Sequence, residues 1–142
     1  MYYIHAINNQ NAYDDLVLVN YFKQNNVTGY QKTTTGLYYK ILTPGTGTTP
    51  ITNNTIATIS YTANLLNGQV IDQFNTADGA GTSFEVPDLF PGVQEALKNY
   101  ATTGAVVSLY MPSRVASGGV STTTTPSFSC VKFDFKVVST NP

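Results

Sequence analysis

The chain has 142 residues, with seven Lys and Arg against eight Asp and Glu, one cysteine (Cys130) and one histidine (His5). That length suits one compact domain with at most a short appendage, which buries roughly two-thirds of the surface its unfolded chain exposes and needs no covalent staple. A single thiol closes no internal disulfide and builds no metal cluster. A net charge of −1 without a basic run argues against nucleic acid or an anionic membrane surface as partner. The Thr- and Asn-rich, charge-poor composition leans towards an exported protein with β structure. Its longest N-terminal apolar run, Leu16 to Val19, is far too short for a signal core or a membrane span. The favoured reading is an exported protein whose leader has been removed, with a cytosolic protein as the alternative.

In chain order, residues 1–12 carry little pattern beyond Tyr2, Tyr3 and Ile4, and Asn8-Asn9-Gln10-Asn11 reads as solvated loop. Asp14 and Asp15 suit a helix N-terminus, where carboxylates meet the positive end of the dipole. Leu18, Tyr21 and Phe22 share a face and Asn25-Asn26 closes the element, so a helix is expected over 14–25, packed against or beside the main domain. Residues 31–36 read as a polar linker. Residues 37–42 alternate as a strand, and Pro44-Gly45-Thr46-Gly47 is turn chemistry.

Residues 55–72 are the most informative stretch. Ile59, Tyr61, Ala63 and Leu65 alternate with Thr58, Ser60, Thr62 and Asn64, the two-residue period of a half-buried strand. Asn67-Gly68 supplies a hairpin turn, and the return strand opens with Val70 and Ile71 and delivers Asp72. Residues 75–81 read as a mobile loop and 82–86 as a short strand centred on Phe84. Val93, Ala96, Leu97 and Tyr100 repeat at i, i+3, i+4 and i+7, a helix with one apolar face. Residues 105–111 form a strand, 113–127 a long loop, and 128–138 a closing strand with Phe133, Phe135 and Val137 on one side. Five or six mostly antiparallel strands with one late amphipathic helix on a sheet face make an α+β domain.

Chemistry is bounded by what is missing. A lone His5 in the loose N-terminal region argues against a histidine-based catalytic pair or metal site, and Cys130 in strand context reads as a buried, inert thiol. Pro44-Gly45-Thr46-Gly47 lacks the lysine and following helix of a phosphate loop. A site working through shape and hydrogen bonds remains.

Six local motifs, in order, resemble the FKBP-type peptidyl-prolyl cis–trans isomerases. They are Gly36 to Leu42 with its Pro-Gly-Thr-Gly turn; Ser60-Tyr61-Thr62-Ala63 followed by Leu66 to Asp72; Phe84; Leu89-Phe90-Pro91-Gly92-Val93; Met111 to Gly118; and Val131 to Phe135. The resemblance implies an antiparallel, highly curved sheet of five or six strands wrapped on one amphipathic helix. An FKBP-like domain then spans 36–142, and residues 1–35 form a helical extension and linker similar to the leader of envelope-associated bacterial members. A cell-envelope location follows, with any membrane contact through a lost lipid anchor. The implied activity is isomerisation of Xaa-Pro bonds in proline-containing peptides or unfolded clients, with no cofactor and no metal.

Carried over residue by residue, the resemblance implies a catalytic group of Tyr61, Asp72 and Phe90, the last through its main-chain N–H. Ile71, Phe84, Leu89, Val93, Ser117 and Phe133 complete the implied substrate-binding wall. Val93 stands where active members have the tryptophan floor, Ser117 where they have a tyrosine that reaches substrate, and Thr124 and Thr125 where hydrophobic residues shield the site. These departures lead to an expectation of reduced activity. The alternative is a non-catalytic binding or chaperone-like module on the same fold. A third reading, a glycan-binding β domain, has little behind it because the chain has no Trp and no acidic calcium cluster.

Overall fold

Alternating apolar residues from Leu37 onward build one antiparallel sheet with a helix on each face. A computed structural model describes residues 2–142, with side chains from residue 9 onward. Its elements are α1 (Tyr2–Gln24), β1 (Gln31–Lys32), β2 (Tyr38–Thr43), β3 (Ile56–Leu65), β4 (Val70–Phe74), β5 (Thr82–Glu85), α2 (Pro91–Tyr100), β6 (Val106–Met111) and β7 (Val131–Asn141). Single 3-10 turns cover Val86–Asp88 and Ser113–Val115. The strand order is β1-β2-β6-β7-β3-β4, with β5 sharing the β4 edge of β3. The long β3 thus pairs with β7 along one edge and with β5 and β4 in succession along the other.

The inner face carries the main core. Ala57, Ile59, Tyr61 and Ala63 of β3, Val107, Leu109 and Met111 of β6, and Phe133, Phe135 and Val137 of β7 are buried against Val93, Ala96 and Leu97 of α2. A ten-residue helix is marginal alone in water, so this burial, worth roughly 1.5–3 kcal/mol per large aliphatic side chain, holds it. The approach at its first turn is close: a Cβ on Gly92 would lie 2.6 Å from the Met111 sulfur. Glycine is what lets α2 sit this near β6.

The outer face is covered by α1. Leu18 is fully buried with Tyr110 and Cys130, and Val17, Tyr21, Phe22, Tyr30 and Tyr38 pack around them. The Phe22 ring meets Tyr110 edge-on at 4.9 Å and Tyr38 edge-on at 5.0 Å, and lies parallel to Tyr30 at 6.0 Å. Such pairs contribute about 0.5–1.5 kcal/mol each beyond their area.

Three sequence expectations are corrected here. The helix starts at Tyr2 rather than at Asp14, so residues 8–11 are helical and not loop, and both aspartates are interior. No Gly or Pro interrupts residues 2–24, and interior asparagines cost at most about 0.7 kcal/mol each, which tertiary packing overrides. The expected linker contains a strand, because Gln31 and Lys32 pair with Tyr39 and Tyr38, and it brings the sheet to seven strands. The closing strand begins at Val131, since Phe128 takes a left-handed φ of 58° that no strand accommodates. The C-terminal stop of α1 is as expected: Asn26 takes φ 54° and the Val27 N–H closes on the Phe22 carbonyl. The His5 side chain lies outside the described residues.

Candidate active site

Register brings Tyr61 and Asp72 together. On the β3–β4 ladder Tyr61 lies opposite Phe74 and Ala63 opposite Asp72, which makes Tyr61 and Asp72 diagonal neighbours within reach of a long side chain. On the other edge Ala63 faces Phe133. The small Ala63 is therefore flanked by Asp72 and Phe133, leaving room for the Tyr61 ring between them. The Tyr61 hydroxyl donates to Asp72 Oδ2 at 2.8 Å. Its ring stacks on Phe133 with centroids 5.2 Å apart and 8° between planes. Phe84, brought to this face by pairing opposite Ala57, meets the same ring edge-on at 5.8 Å.

Burial pushes the Tyr61 phenol up to about 12, helped by its hydrogen bond to Asp72 and the negative charge there. At neutral pH the phenol is a fixed donor. Asp72 itself is exposed at the rim.

The β3–β4 pairing slips between Ala63 and Asn64, so that Asp72 and Val70 are paired while Ile71 is the extra residue of a bulge. A bulge re-aims a side chain, and Ile71 packs on the inner core beside its neighbour Asp72. Leu89 and Phe90 enter the same core from the start of α2, half-buried. Phe90 is the residue before Pro91 in extended geometry, and its carbonyl accepts the Gln94 N–H at 3.0 Å. Its own N–H has no protein acceptor among the described residues. A free N–H at the positive end of a helix can receive a carbonyl oxygen. The Gln94 side chain donates to the Leu89 carbonyl at 2.7 Å and steadies the segment.

Two of the sequence-predicted residues sit differently from the rest. Val93 is 0% exposed, enclosed in the inner core rather than lining a surface. Ser117 follows the 3-10 turn after β6, and its Oγ is buried with no hydrogen-bond partner among the described residues. Thr125 is buried and Thr124 exposed, in a loop closed on itself by Thr122–Thr125 hydrogen bonds. The larger clefts lie elsewhere. One of about 610 Å³ is lined by Ile41, Pro44, Pro50, Ile51 and Tyr100, and none of the predicted site residues borders it. Among the described residues no three His, Cys, Asp or Glu side chains are grouped to hold a metal. Sequence reasoning missed Ala63 as the spacer of the Tyr61 constellation, although a small residue flanked by larger apolar ones on a strand is a visible cue. It also missed Asp14, whose partner is 99 residues away.

No family model matches the chain. Among its relatives, the FKBP-type peptidyl-prolyl cis–trans isomerase FkpA of Escherichia coli is 29% identical over 114 residues, 80% of this chain and 41% of that protein. The outer membrane protein MIP of Legionella longbeachae is 36% identical over 58% of this chain and 34% of its own length. The peptidyl-prolyl cis-trans isomerase Mip of Coxiella burnetii is 33% identical over 66% and 39%. The chain thus spans about two-fifths of the length of these relatives or less. Among solved structures, a peptidyl-prolyl cis-trans isomerase of Pseudomonas syringae superposes with a TM-score of 0.75 at 22% identity, covering 92% of this chain and 96% of that one. FkpA of E. coli does so with a TM-score of 0.76 at 24% identity, covering 97% and 64%. With these relatives, the shared α+β fold and the six motifs in order, the chain is similar in sequence and in fold to the FKBP-type peptidyl-prolyl cis–trans isomerases.

Proposed function

We propose that the chain catalyses cis–trans isomerisation of Xaa-Pro bonds in peptides and unfolded protein clients. Tyr61, Asp72 and the Phe90 N–H act as its catalytic group, and Ile71, Phe84, Leu89 and Phe133 form the wall. The observation that carries the reading is the Tyr61 constellation: one ring stacked on Phe133, edged by Phe84 and hydrogen-bonded to Asp72. The barrier to rotation, roughly 18–20 kcal/mol, comes from amide resonance, and lowering it needs neither nucleophile nor proton transfer. An apolar wall disfavours the charge-separated form of the planar amide, and the Phe90 N–H would hold the substrate carbonyl while the bond twists. Each ~1.4 kcal/mol removed is tenfold in rate. We also propose that this rate is reduced: Val93 supplies no aromatic floor, and the short Ser117 loses a hydrogen bond to substrate worth about 0.5–1.5 kcal/mol. A bacterial envelope location is part of the proposal, supported by the relative named as an outer membrane protein.

The enclosed Val93, together with larger clefts that Tyr61 does not border, favours a second reading, a non-catalytic FKBP-like module that holds a protein partner. The deciding measurement is the cis-to-trans rate of an Xaa-Pro peptide panel with wild type and Tyr61→Ala. Acceleration by wild type that falls in the variant supports catalysis at this site. No acceleration of any peptide by folded protein leaves the binding module.

A further inference from the structure

Asp14 is a carboxylate that the proposed function does not use, yet it is 1% exposed. It lies on the stripe of α1 that also carries Leu18, Tyr21 and Phe22, at spacings of four, seven and eight, so the packing that seats the helix drives the acid against the sheet's end. There its Oδ2 accepts the Ser113 N–H at 3.0 Å and the Ser113 hydroxyl, while Oδ1 accepts the Gln10 side-chain amide at 2.7 Å. Three donors satisfy an otherwise costly buried charge.

Ser113 passes the grip on. Its carbonyl accepts the Ala116 N–H at 3.0 Å and the Gly118 N–H at 2.7 Å, bracketing Ser117, and the Gly118 carbonyl in turn accepts the Phe128 N–H. The Ser117 hydroxyl has no partner of its own among the described residues, so its placement depends on these main-chain bonds. The same turn presses on α2: a Cβ on Gly92 would come within 3.2 Å of Val115 Cγ2 and nearer still to Met111. Gly92 is two residues from Phe90. One carboxylate on α1 therefore holds a turn that carries Ser117 and braces the segment presenting the Phe90 N–H.

We propose that Asp14 is a positioning residue for the substrate site, acting through Ser113, and that α1 is a working support of that site rather than an appendage. The proposal rests on the isomerase reading for its catalytic consequence, but not for its structural one.

The test uses the full chain with Asp14→Ala, Asp14→Asn, Ser113→Ala and Leu18→Ala, the last loosening α1 without touching the turn. Amide hydrogen exchange is read at Ala116, Gly118 and the β3 and β7 strands. Steady-state isomerisation of an Xaa-Pro peptide is followed in parallel. Asp14→Ala should speed exchange at Ala116 and Gly118 with the strands unchanged, and lower kcat/KM roughly 2- to 30-fold, mainly through KM. Asp14→Asn, which keeps an acceptor for the Ser113 N–H, should recover part of both. Leu18→Ala, which loosens the helix that carries Asp14, should also speed exchange at Gly118, whereas unchanged exchange there in folded Asp14→Ala overturns the proposal. If Asp14→Ala does not fold, Asp14→Asn and Ser113→Ala decide by the same exchange readout. A wild type that accelerates no peptide ends the isomerase reading, while exchange at Gly118 still decides the positioning role.

Discussion

Tyr61 reaches Asp72 and Phe133 because Ala63 is small, so the site's tolerance to change is set at that residue. Tyr61→Phe removes one hydroxyl and leaves the rim carboxylate of Asp72 free to solvent. It should cost about 0.5–1.5 kcal/mol. Phe133→Ala removes a 5%-exposed ring from the stack and leaves a cavity in the inner core, and should cost about 3–5 kcal/mol. Ala63→Leu fills the space the Tyr61 ring needs and should cost about 1–3 kcal/mol by overpacking, with loss of the Tyr61–Asp72 bond. Urea unfolding of the three variants checks the order; a Tyr61→Phe cost equal to that of Phe133→Ala would place the stability in the hydrogen bond instead of the stack. The pairing of Tyr61 with Asp72 was legible because both fall on one hairpin with a short Asn67-Gly68 turn. The pairing of Asp14 with Ser113 was not, since no local pattern links positions so far apart and two adjacent aspartates mimic a helix start.

At the scale of elements, what could be read depended on whether one local rule governed the segment. The α2 face was fully legible: Val93, Ala96, Leu97 and Tyr100 keep the helical period and all meet the inner core. The β3 strand was legible for the same reason, its alternation matching its burial from Ala57 to Ala63, although Leu65 is only half-buried. The first half of α1 was not, because its Asn-rich turns carry no apolar stripe and tertiary contact further along sustains the helix. Nor was β1, whose two residues are too few to show a period. The packing of α1 gives a direct contrast within one helix. Leu18 is fully buried and Leu16 58% exposed, so Leu18→Ala should cost about 2–5 kcal/mol and Leu16→Ala stay within about 0.5 kcal/mol. Similar denaturation midpoints for the two variants would mean that α1 does not stay on the sheet in solution.

For the whole molecule, the sheet is a shared wall between two layers, and β6 shows it. Val107 to Met111 are all buried, the signature of a strand covered on both faces. Each layer holds phenols whose ionisation folding opposes. On the inner side Tyr61 is pushed up to about 12 by burial and then by Asp72. On the outer side burial, then the hydrogen bond and charge of Asp15, push Tyr38 up to about 12, and burial raises Tyr110 further. Burial and the Asp14 charge also push the Cys130 thiol up to about 12. In each case the folded chain holds its proton more tightly than the unfolded one, whose tyrosines titrate near 10 and thiol near 9. The stability these groups contribute is therefore fully present below about pH 9, and falls between there and about pH 12. Because phenols of both layers share that window, alkali should unfold the two helices and the sheet together. Absorbance at 295 nm and far-UV circular dichroism, followed from pH 8 to 12.5, should show late tyrosine ionisation coinciding with loss of secondary structure. Ionisation of every phenol near pH 10 with the dichroism intact would show that neither layer excludes water from its tyrosines.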